Sequence, residues 1–422
     1  MPSLILSSTA SGSGKTVVTL GLLRALSRRG IAVRGAKSGP DYIDPGFHEA
    51  ACGAPCPNLD AWAMTPERIR EIAWTEDLLL VEGAMGLFDG APPDGKGATA
   101  DLARTLRVPT VLVIDAARMA HSVAPHVAGF ARHDRRVRVA GVVLNRVGSP
   151  RHERMLRAAL RPIGIPVLGA VKRNPDLIHP SRHLGLLQAR ERPDLEEFIE
   201  TAAEVIGNSI DLEALAALAE ELPKAVPGSF LPPPAQRIAV ARDAAFTFAY
   251  RHLLRDWRRL GAEILTFSPL ADETVPEADL VVLPGGYPEL HAGRLAAATK
   301  FMSSLRKTAQ HTLIYGECGG FMVLGETLID IDGIPHRMAG LLPLDTSLAV
   351  PELHLGYRRL TPLGGPFETD LTAHEFHYAS VVRAEGKPLF RAWDAEGTEL
   401  PPTGMRVGGV CGSFAHIIDA AK

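Results

Sequence analysis

Ser8-Thr9-Ala10-Ser11-Gly12-Ser13-Gly14-Lys15-Thr16 lies between a short apolar run, Leu4-Ile5-Leu6, and an amphipathic stretch from Val17 to Arg29. Strand, Gly-rich turn, then helix is the context a phosphate-binding loop requires. Gly12 and Gly14 let the backbone fold so that several N–H groups point at one anion, with Ser13 between them. The helix that starts at Thr16 adds its partial positive charge. Lys15 can reach β- and γ-phosphates, and the Thr16 hydroxyl can ligate Mg²⁺. The motif departs from the usual pattern at one point: Thr9 stands six residues before the Lys, where a Gly is usual.

Working outward, the first half alternates strands and helices. Leu4–Leu6, Ala32–Ala36, Leu78–Val81, Thr110–Ile114, Val139–Leu144 and Val167–Ala170 are short and apolar throughout, as buried parallel strands are. Helical periods separate them, for example Ala98–Arg107 and Glu153–Leu160. The pattern predicts a doubly wound α/β sheet with ligands at the C-terminal ends of its strands. Chemistry-bearing residues fall at those ends. Lys37-Ser38-Gly39-Pro40-Asp41-Tyr42-Ile43-Asp44-Pro45 follows the second strand. Carboxylates beside a triphosphate are repelled unless a cation lies between, so Asp41 and Asp44 point to Mg²⁺ chemistry. Glu82 ends the third strand, where P-loop enzymes place an acid that holds Mg²⁺. Asp89 lies seven residues on, in a loop with three glycines. Asn145 ends the fifth strand, where its amide can meet a purine edge or close a turn. The loop's departure at Thr9 resembles dethiobiotin-synthetase-like ATPases. Arg132-His133-Asp134-Arg135-Arg136 reads as a solvated helix end, and Cys52 and Cys56, without a second pair at zinc spacing, read as structural.

At 422 residues the chain is long for one core, and two domains are expected. An apolar share of 46% and a charged share of 22% are those of a globular protein, and a net charge of −3 advertises neither nucleic acid nor an anionic membrane. Met1-Pro2-Ser3-Leu4 carries no basic region, and no run of 18 apolar residues occurs, so neither a signal peptide nor a membrane span is expected. Four cysteines fit a reducing cytoplasm rather than a disulfide scaffold. Two acidic, Ala-rich helical stretches, Leu195–Ile206 and Leu212–Leu222, lead into a segment ending Leu231-Pro232-Pro233-Pro234. Consecutive prolines make a stiff extended linker. The expected division is 1–222, a linker over 223–236, and 237–422.

The second half restarts the α/β pattern with strands Ile238–Ala241, Glu263–Phe267, Leu280–Leu283 and Thr312–Tyr315, and helices Phe248–Leu260 and Leu295–Lys307. Tyr315-Gly316-Glu317-Cys318-Gly319-Gly320-Phe321 is G-x-C-x-G between strand and helix, the cysteine form of a nucleophile elbow. The following helix is expected to lower the thiol pKa. Gly286, in Leu283-Pro284-Gly285-Gly286-Tyr287-Pro288, and Gly319 can supply N–H groups to an oxyanion. His416, in Gly412-Ser413-Phe414-Ala415-His416, can return to the cysteine as base.

With these residues in place, the chain resembles the cobyrinic or hydrogenobyrinic acid a,c-diamide synthases, glutamine-dependent amidotransferases, along nearly its whole length. The resemblance rests on Lys37–His48, Val81–Gly90, Ala241–Phe246, Leu283–Glu289, Tyr315–Gly325, His354–Arg358 and His374–Tyr378. It implies a dethiobiotin-synthetase-like P-loop amidoligase domain followed by a class I glutamine amidotransferase α/β domain. It implies Cys318 as nucleophile and His416 as base, with Gly12, Ser13, Gly14, Lys15, Thr16 and Asn145 on ATP and Thr16, Asp44 and Glu82 on Mg²⁺. Asp41, Asp44 and Asp89 serve the ligase chemistry. A corrin acid, L-glutamine and ATP are the implied partners, and a homodimer stays open. The usual class I pattern is H-x-E, but position 418 is Ile418. The orienting carboxylate is missing from its usual place, and His374, Glu375 and His377 form a further cluster of interest. The alternatives are a cobyric acid synthase-like enzyme amidating other corrin side chains, a dethiobiotin-synthetase-like ATPase, and a P-loop switch protein. Neither of the last two needs a thiol nucleophile.

Overall fold

The computed structural model describes residues 2–177, 188–224, 228 and 230–421. They divide into two compact units, Met1–Gly228 and Ser229–Lys422. The Pro-rich stretch 223–236 spans that division, and residues 225–227 and 229 within it lie outside the described residues.

In the first unit, β1 (Pro2–Ser8), β2 (Val33–Ser38), β3 (Asn58–Leu59), β4 (Leu78–Glu82), β5 (Thr110–Asp115), β6 (Val139–Val147) and β7 (Val167–Lys172) run in the order β3-β2-β4-β1-β5-β6-β7. All these neighbours are parallel, and the short strand Glu220–Glu221 joins the start of β1 antiparallel. Leu4, Ile5, Leu6, Leu79, Leu80, Val81 and Val111–Ile114 are all fully buried, because helices cover both faces. The chain moves from β1 outward to β2 and later from β1's other side to β5, so the crevice at the C-terminal end of β1 is the place for a ligand. Helix α1 (Lys15–Arg28) starts there. It packs on the helix Leu195–Ser209, and a Cβ on Gly21 would lie 2.5 Å from Ile206 Cγ1. Helix α2 (Asp44–Cys52) follows β2 and carries the second acidic segment towards the same crevice.

In the second unit, β8 (Arg237–Ala241), β9 (Glu263–Phe267), β10 (Leu280–Leu283) and β11 (Leu313–Glu317) continue through Val410–Ser413 to Met405–Val407, in the order β9-β8-β10-β11 and then those two. All pairs but the last are parallel. Phe246, Phe267, Phe301, Phe321 and Met322 contribute to the core on this sheet. The chain leaves Val410–Ser413 and enters Ala415–Ala420, the edge of a second, antiparallel sheet that continues through Leu371–His377, His354–Pro362, Phe390–Trp393 and Glu399–Thr403. That change of sheet sets His416 beside the end of β11. Both units are α/β, the first a P-loop doubly wound sheet.

Candidate active site

The turn after β1 is held by its glycines: Gly12 has φ 75° and Gly14 φ 84°, angles that side chains disfavour. A Cβ on Gly14 would also strike Asn145 Nδ2 at 2.3 Å. The Asn145 amide lies against the loop, donating from Nδ2 to Ser13 O at 2.9 Å and accepting from Arg146 N at 2.9 Å. It fixes the loop while still lining the cavity. Ser13 turns its hydroxyl back to Ala10 O at 2.8 Å. Lys15 Nζ is drawn in to Ser8 Oγ at 2.8 Å and Met85 O at 2.5 Å, and its burial brings its pKa down to about 8.

A cavity of about 1290 Å³ opens over the loop, lined by Gly12, Gly14, Lys15, Thr16, Lys37, Asp41, Asp44, Glu82 and Asn145, with Arg118, Arg146, Lys172 and Arg173 beyond. Its acids form one network. Thr16 Oγ1 donates to Glu82 Oε1 at 2.7 Å and lies 3.5 Å from Asp44 Oδ2. Lys37 Nζ joins Asp44 Oδ2 and reaches Glu82 Oε1 at 2.8 Å, with Asp41 Oδ2 at 3.9 Å. The pairing of β2 with β4 puts Lys37 directly opposite Glu82, so the contact follows from sheet register. Burial alone would lower the Lys37 pKa, but the carboxylates of Asp44 and Glu82 push it well up. Burial alone would raise Glu82, but Lys37 and His48 hold it well below the usual carboxylate range. His48 Nε2 meets Glu82 Oε2 at 2.6 Å, and its Nδ1 meets Cys56 Sγ at 3.3 Å. Asp41 Oδ1 accepts from Ile43 N at 2.8 Å and Asp44 N at 3.0 Å, capping the entry to α2. Burial and the neighbouring Asp44 raise the Asp41 pKa to about 6.

Asp89 stands apart from this group. Its Oδ2 accepts from Gly86 N at 2.9 Å and closes its own loop, which carries the Met85 carbonyl that holds Lys15. It does not line the cavity.

In the second unit, Cys318 sits between β11 and α3 (Gly319–Leu324) at φ 46° and ψ −107°, a strained left-handed angle for a residue with a Cβ. The strand-to-helix elbow stores that strain to aim the side chain. A Cβ on Gly319 would lie 3.2 Å from Gly286 N, which brings together the two backbones expected at an oxyanion. Cys318 N donates to Ser413 O at 2.8 Å, tying the elbow to the segment that carries His416. The expected low thiol pKa is corrected here: Cys318 is 4% exposed, and burial, then the charge of Glu289, pushes it up. The backbone N–H of Gly319 pulls the other way and is outweighed. Burial, then the charges of His374 and His377, brings His416 down to about 3. The Cys318 thiol and the His416 imidazole are therefore both neutral at rest. Nearby, Glu375 is clasped by Arg358 at 2.7 Å and His377 Nε2 at 3.0 Å, and His377 stacks between His354 and Phe414. His374 pairs with His416 across the sheet.

Residues 4–187 match the CobQ/CobB/MinD/ParA nucleotide binding domain family, and residues 237–422 match the CobB/CobQ-like glutamine amidotransferase domain family. A hydrogenobyrinate a,c-diamide synthase of Brucella abortus is 56% identical over 431 residues, with 99% of each chain covered. Those of Rhizobium meliloti and Rhodobacter capsulatus are 53% and 50% identical, covering 100% and 98% of each chain. The chain belongs to the hydrogenobyrinate a,c-diamide synthase family. Three side chains of these two sites were left without a role by sequence reading: Lys37, His48 and Glu317. They lie in stretches that carry the resemblance, but their partners are distant in sequence. Lys37 reads as one more cation at a strand end until the β2–β4 register sets it against Glu82. Glu317 Oε1 accepts from Ile417 N at 3.3 Å, a partner 100 residues away in sequence. No helix among the described residues is long and apolar enough to cross a membrane.

Proposed function

We propose that the protein amidates the a and c side chains of hydrogenobyrinate, using ATP to activate each carboxylate and glutamine as the nitrogen source. The supporting observation is a chain 56% identical from end to end to a diamide synthase that also carries both halves of the chemistry: a P-loop cavity with converging acids, and a strained Cys elbow with a buried His.

A carboxylate is a poor acyl electrophile because oxide is its leaving group. Its oxygen attacks the γ-phosphorus of ATP, ADP leaves, and an acyl phosphate forms. Lys15 and the loop N–H groups hold the phosphates, and catalysis is mostly positioning and charge neutralisation. The donor set fits Mg²⁺. Thr16, Glu82 and Asp44 offer hard oxygens at one place. Thr16, Glu82 and Asp44 would hold the cation, and when bound it supplies charge neutralisation for the moving phosphoryl group. Ammonia then attacks the acyl carbon and phosphate leaves. Asp41, with a pKa of about 6, is ionised at neutral pH and can take the proton that the attacking nitrogen sheds. Asp89 acts through its loop, by holding the Met85 carbonyl against Lys15. The cations Arg118, Arg146, Lys172 and Arg173 suit a cavity that receives a polyphosphate and a polycarboxylate.

Cys318 attacks the side-chain carbonyl of glutamine while His416 takes the thiol proton. The N–H groups of Gly286 and Gly319 face the resulting oxyanion. His416 gives the proton to the leaving ammonia, and water releases glutamate from the thioester. The test is incubation with ATP, Mg²⁺, glutamine and hydrogenobyrinate, with added amides counted by mass. Two amides on the a and c positions are expected. Glutamate release with an unchanged corrin mass, or amides at other positions, would sink the reading.

A further inference from the structure

We infer that Glu317, the residue immediately before the nucleophile, is the carboxylate that positions His416 and balances its charge. The inference rests on Cys318 and His416 being the glutaminase pair. In an H-x-E pattern a glutamate two residues beyond the histidine would do this. Here that place is filled by Ile418, which is fully buried and whose carbonyl accepts from His252 Nε2 at 2.7 Å.

Topology brings Glu317 to the task from another strand. It ends β11, where its backbone pairs in register with Ser413. Three residues beyond Ser413 comes His416, on the strand that enters the neighbouring sheet. One oxygen of Glu317 is pinned by Ile417 N at 3.3 Å, and the other lies 4.0 Å from His416 Nδ1. Ile417 N and the neighbouring Tyr315 hydroxyl limit the freedom of the Glu317 carboxyl group, which keeps Oε2 on the side of the imidazole. Only a small closure is needed to make the hydrogen bond, and such bonds are often long before substrate binds. The carboxylate of Glu375 is engaged elsewhere, with Oε2 on Arg358 and Oε1 on His377.

At rest Glu317 is a neutral neighbour of His416, and its charge matters only once the imidazole is protonated. The charges acting on His416 are those of His374, His377 and Glu375, and Glu317 Oε2 lies 4.0 Å from its Nδ1. Glu317 is only 12% exposed, and burial raises its pKa to about 8. When the thiol proton moves to His416, a buried imidazolium appears. It needs an anion beside Nδ1, and Glu317, which carries its proton at rest at neutral pH, becomes that anion by releasing the proton to solvent as the imidazolium forms. Nδ1–H then points at Glu317, which leaves Nε2 for the sulfur and the leaving nitrogen.

The experiment uses the full chain with Glu317→Gln, Glu317→Asp and Cys318→Ala. Glutamate release gives kcat and KM for glutamine, and ammonia-driven amidation reports the other site. Iodoacetamide labelling of Cys318 across pH, with Cys318→Ala subtracting other thiols, reports thiolate formation. Glu317→Gln keeps the shape but cannot carry the charge. It is expected to lower kcat by about 10²–10⁴-fold, up to the loss seen when the carboxylate partner of a catalytic imidazole is neutralised. KM for glutamine and ammonia-driven amidation should stay near wild type, and the labelling midpoint should move to higher pH. Glu317→Asp should recover part of both effects. Glu317→Gln with wild-type kcat and an unmoved midpoint overturns the inference, as does a loss carried by KM alone. Should Glu317→Gln fail to fold, the Glu317→Asp midpoint decides: intermediate supports the inference, unmoved with full kcat refutes it. If Cys318→Ala still hydrolyses glutamine, the nucleophile assignment has failed instead.

Discussion

Gly285→Ala tests how closely His416 must be placed. Gly285 follows β10 and has no left-handed backbone angle, so alanine can adopt its conformation and the cost is one of space. The new Cβ would lie 2.1 Å from His416 Cε1, 3.0 Å from Nδ1 and 3.1 Å from Nε2. Ordinary contact begins at 3.4 Å, so the ring must give way by about 1.3 Å. It has little room to do so. His416 is fully buried, with Phe248 on one side and Glu317 on another. A misplacement of about 1 Å at a catalytic group can lower the rate by about 10²-fold, equivalent to about 2.7 kcal/mol in the barrier. Glutamine-driven glutamate release should fall by that factor, while amidation driven by free ammonia stays at the wild-type rate. Gly293→Ala serves as the control, because its Cβ would meet His336 Cε1 at an ordinary 3.6 Å. A Gly285→Ala enzyme that releases glutamate like the control would mean that the imidazole does not work from this position.

Cys318→Ala should abolish glutamine use and leave ammonia-driven amidation intact; loss of both in a folded variant contradicts separate sites. Lys15→Ala and Glu82→Gln should each remove product with either nitrogen source, since phosphoryl transfer precedes nitrogen transfer, and near-normal amidation from ammonia would rule the assignment out. In Mg²⁺ titrations of the amidation rate, Asp44→Asn should shift the midpoint upward more than Asp89→Asn does, because Asp44 Oδ2 faces Thr16 and Asp89 faces its own loop; the reverse order would exchange their roles. Lys15 has its pKa lowered to about 8 and binds phosphate only when protonated, so ATP affinity should weaken as pH rises through that value. Calorimetry would show this limb in the wild type and not in Lys15→Ala.

How much of this was legible in the sequence depended on how far each interaction reaches along the chain. The P-loop is a local object: glycines, a lysine and a threonine between strand and helix specify it, and the parallel strands announced themselves as short apolar runs. The gathering of Glu82 and Asp44 about Thr16 was readable because α/β sheets place ligands beyond the carboxyl ends of their strands. Lys37 was not, because its role comes from a partner 45 residues away that only the β2–β4 register brings alongside. The antiparallel sheet of the second unit was equally hidden. His354-Leu355-Gly356-Tyr357-Arg358-Arg359 has no apolar run, and such a strand is selected by its neighbours rather than by its own propensity. The elbow shows the limit most clearly. Sequence identified Cys318 and gave it a helix N-terminus, a feature that lowers a thiol pKa. The helix has only six residues and Cys318 is buried, so desolvation outweighs the helix and the thiol stays protonated. Burial is a property of the whole unit and is not written at the motif. Its consequence is chemical: with thiol and imidazole both neutral at rest, the proton must move as glutamine is attacked, and the transition state relies on groups that meet its charge. In the proposed mechanism Gly286 and Gly319 meet the oxyanion, and Glu317, once it has released its proton, meets the imidazolium.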